Sequence, residues 1–214
     1  MGARRALQVG IPGLNGLGRS GWRLVSVAHG ELDKLLALYR EDGVALGLNL
    51  LGDSLYTIGV DVKRLTKRNA ECVAVIATSR QGLNLERLAL ALYGDHGSVG
   101  TAKARVSRLR NSIPLTSRPY RIGVPFQADF LELMEHLEQG RVRQALSLYR
   151  GPLLPESGAP AVVELREHID ESLRQAVLAS GDHEAMLELA KRTDDQDLEL
   201  LEAAARHMPQ NDPQ

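Results

Sequence analysis

The stretch VGTAKARVSRLRNSI, residues 99–113, constrains this chain more than any other. Val99, Ala102, Val106, Leu109 and Ile113 recur at spacings of three and four, which is one narrow apolar stripe on a helix that packs on a core along one side only. Off that stripe stand Lys103, Arg105, Arg108 and Arg110, with Thr101 and Ser107 among them and no acidic residue in the segment. Exposed helices usually mix signs so that side chains four apart can pair. Four cations with no counter-charge repel one another and need something anionic beside them.

The flanking segments give that helix a setting. Residues 46–66, LGLNLLGDSLYTIGVDVKRLT, are short β-like runs broken by Gly-Asp and Gly, a small meander. Helices are predicted through NAECVAVIATSR, apolar on most sides, and LERLALALYG, with Asn84 placed to cap the start of the second and Gly94 to close it. Ser98 is a suitable N-cap for the basic helix, which is predicted to run to the stop at Pro114. LTSRPYRIGV then reads as a short hairpin with Pro119 in its turn or on an edge. Strands, three helices and a basic hairpin in this order make an α+β winged helix-turn-helix. A helix of this kind can enter the DNA major groove, where Arg pairs with guanine and other cations bind phosphates. Lys103, Arg105, Arg108 and Arg110 are the expected docking residues, Thr101 a candidate base-edge contact, and Arg118 and Arg121 the expected wing contacts.

Net charge hides a division of labour. The whole chain sums to −1, yet residues 60–124 hold twelve Lys or Arg against four Asp or Glu, and residues 125–214 hold eight against eighteen. Such asymmetry assigns different partners to the two parts. After Pro125 everything is predicted helical: ADFLELMEHLEQG, RVRQALSLYRG, VVELREHIDESLRQAVLASG, HEAMLELAKR and DQDLELLEAAARHM. An echo between EQGRVRQALSL and ASGDHEAMLEL, about forty residues apart, hints at stacked helix pairs of tetratricopeptide type. The expected organisation is an N-terminal arm and short helix over residues 1–45, a winged-helix DNA-binding domain over 46–124, an all-α tetratricopeptide-like module over 126–208, and a frayed tail at 209–214.

Residues 46–124 resemble the OmpR-type winged-helix domain through the meander, the three helices, the ending VSRLRNSI and the closing hairpin SRPYRI. Residues from 129 to about 207 resemble the bacterial transcriptional activation domain that follows such a winged helix in regulators of the antibiotic regulatory protein type. ALSLYRGPLLPES, with ELREHIDESL nearby, carries that likeness. The resemblance implies sequence-directed binding of double-stranded DNA, commonly as a dimer on direct repeats. It also implies that the helical domain makes protein contacts, to its own copy, to RNA polymerase or to another regulator.

Other patterns carry less chemistry. GLGRSG matches the dinucleotide fingerprint, but WRLVSV after it is β-prone where a helix should open, and Glu31 and Asp33 lie too near to be the ribose-binding acid. A glycine-rich spacer is the expectation there, followed by a strand-like run at 24–27 and an amphipathic helix at 31–40. The six histidines form no H-x-x-x-H pair, so no metal is expected. No G-x-S-x-G is present, and Cys72, the single cysteine, sits on an apolar helix as a core thiol. No catalytic residue and no cofactor are expected, and the chain is read as a binding protein and not an enzyme. No apolar run is long enough to span a bilayer, and glycines and a proline interrupt the region after the early Arg pair, so a cytoplasmic protein without a signal peptide is expected. In YRGPLLPE, Leu153 and Leu154 are expected to plug a gap between helix pairs. The alternative of a different class is an adaptor whose basic module binds RNA or an acidic protein.

Overall fold

A computed structural model describes residues 46–193 and 197–208 of the chain. The predicted glycine-rich spacer, the run at 24–27, the helix at 31–40 and the tail at 209–214 lie outside the described residues. Within them the chain is mixed α/β, with one four-stranded sheet and eight α-helices. This is compatible with a winged-helix-like α+β region followed by a helical region.

The meander forms three antiparallel strands: β1 (Leu46–Asn49), β2 (Leu55–Ile58) and β3 (Asp61–Arg64). Leu46 lies opposite Ile58, and Leu55 opposite Arg64. Strand β3 is one edge of the sheet, and all four of its residues are exposed. Its charges Asp61, Lys63 and Arg64 suit a solvated edge. The fourth strand, β4 (Phe126–Ala128), corrects the expectation that everything after Pro125 is helical. It runs parallel to β1, with Leu46 opposite Phe126, and completes the order β3-β2-β1-β4. Three residues pairing with a strand about eighty positions away leave no local pattern to read.

Helix α1 (Lys67–Thr78) is buried continuously from Ala70 to Ala77, which is why its sequence is apolar on most sides. It packs against α2 (Leu85–Tyr93) and α3 (Val99–Leu109). The cap residues behave as their chemistry predicts. Asn84 accepts from the Arg87 amide at 2.8 Å, and Ser98 accepts from the Thr101 amide at 3.1 Å. Helix α3 ends earlier than expected, at Leu109, with residues 110–112 in a turn. Ile113 still reaches the core, fully buried, because the turn folds its amide back onto the Leu109 carbonyl at 2.8 Å.

The helical region comprises α4 (Asp129–Glu138), α5 (Val142–Leu148), the long α6 (Pro160–Ala179), α7 (His183–Ala190) and α8 (Leu198–His207). Arg143 is exposed and paired. It bridges α5 to the start of α7, donating to Asp182 at 2.6 and 2.9 Å and to Glu184 at 3.0 Å. Arg174 on α6 donates to Asp197 at 2.8 Å and also pairs with Glu199, tying down the first turn of α8.

One buried cluster runs through sheet and helices alike. Asp129 accepts from the amides of Leu50, at 3.0 and 2.9 Å, and Leu51, at 3.0 Å, so the start of α4 is hydrogen-bonded to the chain just past β1. Leu153 and Leu154 are buried, as a plugging role requires, and their backbone joins the chain just past β1. Leu153 is fully buried and bridges to Leu51, and the Leu154 amide donates to the Leu50 carbonyl at 3.1 Å. Arg166 of α6 gathers the carbonyls of this loop, at 2.8 Å for Leu154 and 3.2 Å for Ser157. Ser157 in turn donates to the buried carboxylate of Glu71 on α1 at 3.0 Å.

Candidate nucleic-acid interface

Helix α3 owes its position to the short turn before it. At Gly97 an added Cβ would lie 2.6 Å from the Tyr93 Cβ and 2.8 Å from the Ala89 carbonyl oxygen, so only glycine lets the chain turn this close to α2. Ala102, Val106 and Leu109 are buried against α1 and α2. Val99, the first member of the predicted stripe, is 39% exposed and stands outside the core. The opposite side of α3 is open: Gly100, Thr101, Lys103, Ala104, Ser107 and Arg108 are all exposed.

The four predicted docking cations therefore divide into three kinds. Lys103 and Arg108 project from the open face, and neither has a carboxylate partner among the described residues. Arg105 is half-buried, and its Nε is enclosed without a hydrogen-bond partner. Burial pushes the nearby Cys72 thiol up to about 12, against the charge of Arg105, which favours the thiolate. Cys72 is thus an inert core thiol. Arg110 is exposed but engaged: it donates to the Ser117 hydroxyl, and its guanidinium lies 5.6 Å from the centre of the Tyr120 ring. Thr101 shares a hydrogen bond with Ser98 at 2.7 Å, so its hydroxyl belongs to the helix cap as well as to the open face.

The predicted hairpin forms beside α3. Leu115 bridges to Ile122, the Thr116 amide donates to the Arg121 carbonyl at 2.9 Å, and Pro119 occupies the turn. A third strand-like contact joins it, because Leu83 and Tyr120 exchange backbone hydrogen bonds at 2.9 and 2.8 Å. Gly82, at φ +80°, lies so close that an added Cβ would meet the Tyr120 carbonyl oxygen at 2.8 Å. Arg118 and Arg121 are exposed on this hairpin and, like Lys103 and Arg108, unpaired among the described residues. Arg80 and Arg87, which lie outside the pattern that picks out α3, are exposed on either side of Leu83 in the chain. Their signal was available as the charge excess of residues 60–124, but no periodicity ties them to α3.

No group of three or more His, Cys, Asp or Glu among the described residues could hold a metal ion. A cavity of about 380 Å³ opens beside α6, lined by four carboxylates: Asp170 accepts from Tyr149 at 2.9 Å, Asp197 from Arg174 at 2.8 Å and Glu171 from Gln175 at 2.7 Å, with Glu167 beside them. No helix among the described residues is long and apolar enough to cross a membrane.

No protein-family model matches the chain. It is similar to an uncharacterized 47.3 kDa protein in the thcA 5′ region of Rhodococcus erythropolis, at 33% identity over 127 residues. That match takes in 58% of this chain and 29% of the relative, so the chain spans less than a third of the curated relative's length.

Proposed function

We propose that this chain is a DNA-binding transcriptional regulator, an α+β winged helix-turn-helix followed by a tetratricopeptide-like helical module, of the antibiotic regulatory protein type. The observation that carries the reading is the pairing of an open basic helix face with a basic hairpin. Lys103 and Arg108 on α3, and Arg118 and Arg121 on the hairpin, are exposed cations without carboxylate partners among the described residues. The helix supplies a ridge for the major groove, and the hairpin a second contact along the backbone. Small residues on the open face, Gly100, Ala104 and Ser107, let the helix axis approach base edges, where Thr101 can hydrogen-bond, while Lys103 and Arg108 take phosphates on either side. Arg105 is left with a packing role. The acidic helical module mediates dimerisation or contact with RNA polymerase or another regulator, and the protein acts in the cytoplasm by binding, without a cofactor and without catalysis.

Competition separates this reading from an RNA-binding adaptor. With the full-length chain bound to a labelled random duplex, unlabelled duplex DNA is expected to displace the label at lower concentration than single-stranded or double-stranded RNA of equal length. Preferential displacement by RNA would overturn the assignment.

A further inference from the structure

We infer that Arg110 is a positioning residue that locks the basic hairpin to the end of α3, and not one of the groups that grip the nucleic acid backbone. The inference rests on the DNA-binding reading only for its functional consequence; the lock itself is a property of the free protein. Arg110 is the C-cap of α3, where its charge also faces the helix's negative end. From there its guanidinium does two things at once. One nitrogen donates to Ser117 at the start of the hairpin turn, and the planar group lies over the Tyr120 ring, with 5.6 Å to the centroid. Tyr120 is itself fixed on its other side by the paired backbone hydrogen bonds to Leu83 at 2.9 and 2.8 Å. The base of the hairpin is closed by the Gly123 amide on the Pro114 carbonyl at 2.9 Å. Among the described residues, the side-chain hydrogen bond from the turn that carries Arg118 to the end of α3 is the one from Arg110 to Ser117.

The consequence is geometric. Two elements that contact one duplex must keep a fixed separation, and a loose hairpin has to be ordered at the moment of binding, at an entropic cost. Arg110 meets that cost in the free protein. Lysine is a poor replacement, because a single ammonium cannot face the ring and reach Ser117 at once as the broad guanidinium does.

The test uses the full chain, with amide hydrogen exchange read on the free protein and anisotropy read on random duplex DNA. Arg110→Ala and Arg110→Lys are both expected to raise exchange of the 115–123 segment roughly three- to tenfold, with the α1 amides unchanged. Both should weaken DNA binding without changing the slope of log K against log salt, whereas Arg108→Ala lowers that slope by about one. Unchanged hairpin exchange in Arg110→Ala would overturn the lock. A slope reduced by about one in Arg110→Ala and restored in Arg110→Lys would make Arg110 a phosphate contact instead. Loosened exchange with undiminished DNA affinity would overturn its positioning role. If the wild-type chain binds no DNA, the exchange result still decides the lock, and the DNA-binding reading fails alone.

Discussion

Arg105, Arg108 and Arg110 sit within six positions of one another and do three different things. Arg108 stands free on the open face, Arg105 is half-buried with its Nε enclosed, and Arg110 is spent on Ser117 and Tyr120. Arg108→Ala is therefore expected to weaken DNA binding and to lower the salt slope by about one, measured by anisotropy at several salt concentrations. Arg105→Ala is expected to act through folding stability, with little change in slope. A helical wheel places all four cations off the apolar stripe, but it cannot tell a long side chain that reaches outward from one that bends back over the core. Glu71 shows the same limit from the other side. The wheel gives its helix as apolar on most sides but not the seat of this one charge, which is 1% exposed, held by Arg68 at 3.0 Å and by Ser157 from 86 positions away.

Elements were legible where their causes are local. Asn84 and Ser98 cap α2 and α3 through their own side chains, and Gly94 ends α2 at a positive φ of 66°. The hairpin at 115–122 followed from its turn residues. Strand β4 and the seat of Leu153 and Leu154 on Leu50 and Leu51 were not legible, because their partners lie far off in sequence. Helix α8 yields an expectation of its own. Asp197 caps it, accepting from the Leu200 amide at 3.2 Å, and hydrogen bonds from Arg174 hold its carboxyl below the usual range. A carboxyl depressed in the folded state stabilises above its unfolded value, about 3.9, and that stabilisation is lost as pH falls through the folded value. Asp197→Asn keeps a good cap and removes the charge. Its urea midpoint is expected to lie below that of the wild type at pH 7 and to converge with it toward pH 3. A constant gap across that range would mean that the pair with Arg174 contributes nothing.

At the scale of the whole molecule, the charge boundary near residue 125 is not a boundary in the core. Strand β4 completes the sheet begun by β1, Asp129 holds the amides after β1, and the loop at 152–158 docks on Leu50, Leu51 and Glu71. The basic face is therefore carried on a core that it shares with the acidic helices. Ser157→Ala leaves the buried Glu71 carboxylate short of a donor, which costs about 1–3 kcal/mol. Because the core is continuous, that loss is expected to shift one cooperative urea transition, with the same midpoint whether read on residues of 46–124 or of 126–208. Two separate transitions would show that the modules fold independently. The central claim is that the open face of α3 and the hairpin bind the DNA backbone together. The salt dependence of full-length chain binding to random duplex DNA tests it most directly. Contacts to about four to six phosphates give a slope of log K against log salt near −4 to −5. A flat and weak response would contradict the claim and assign the basic face to a protein partner.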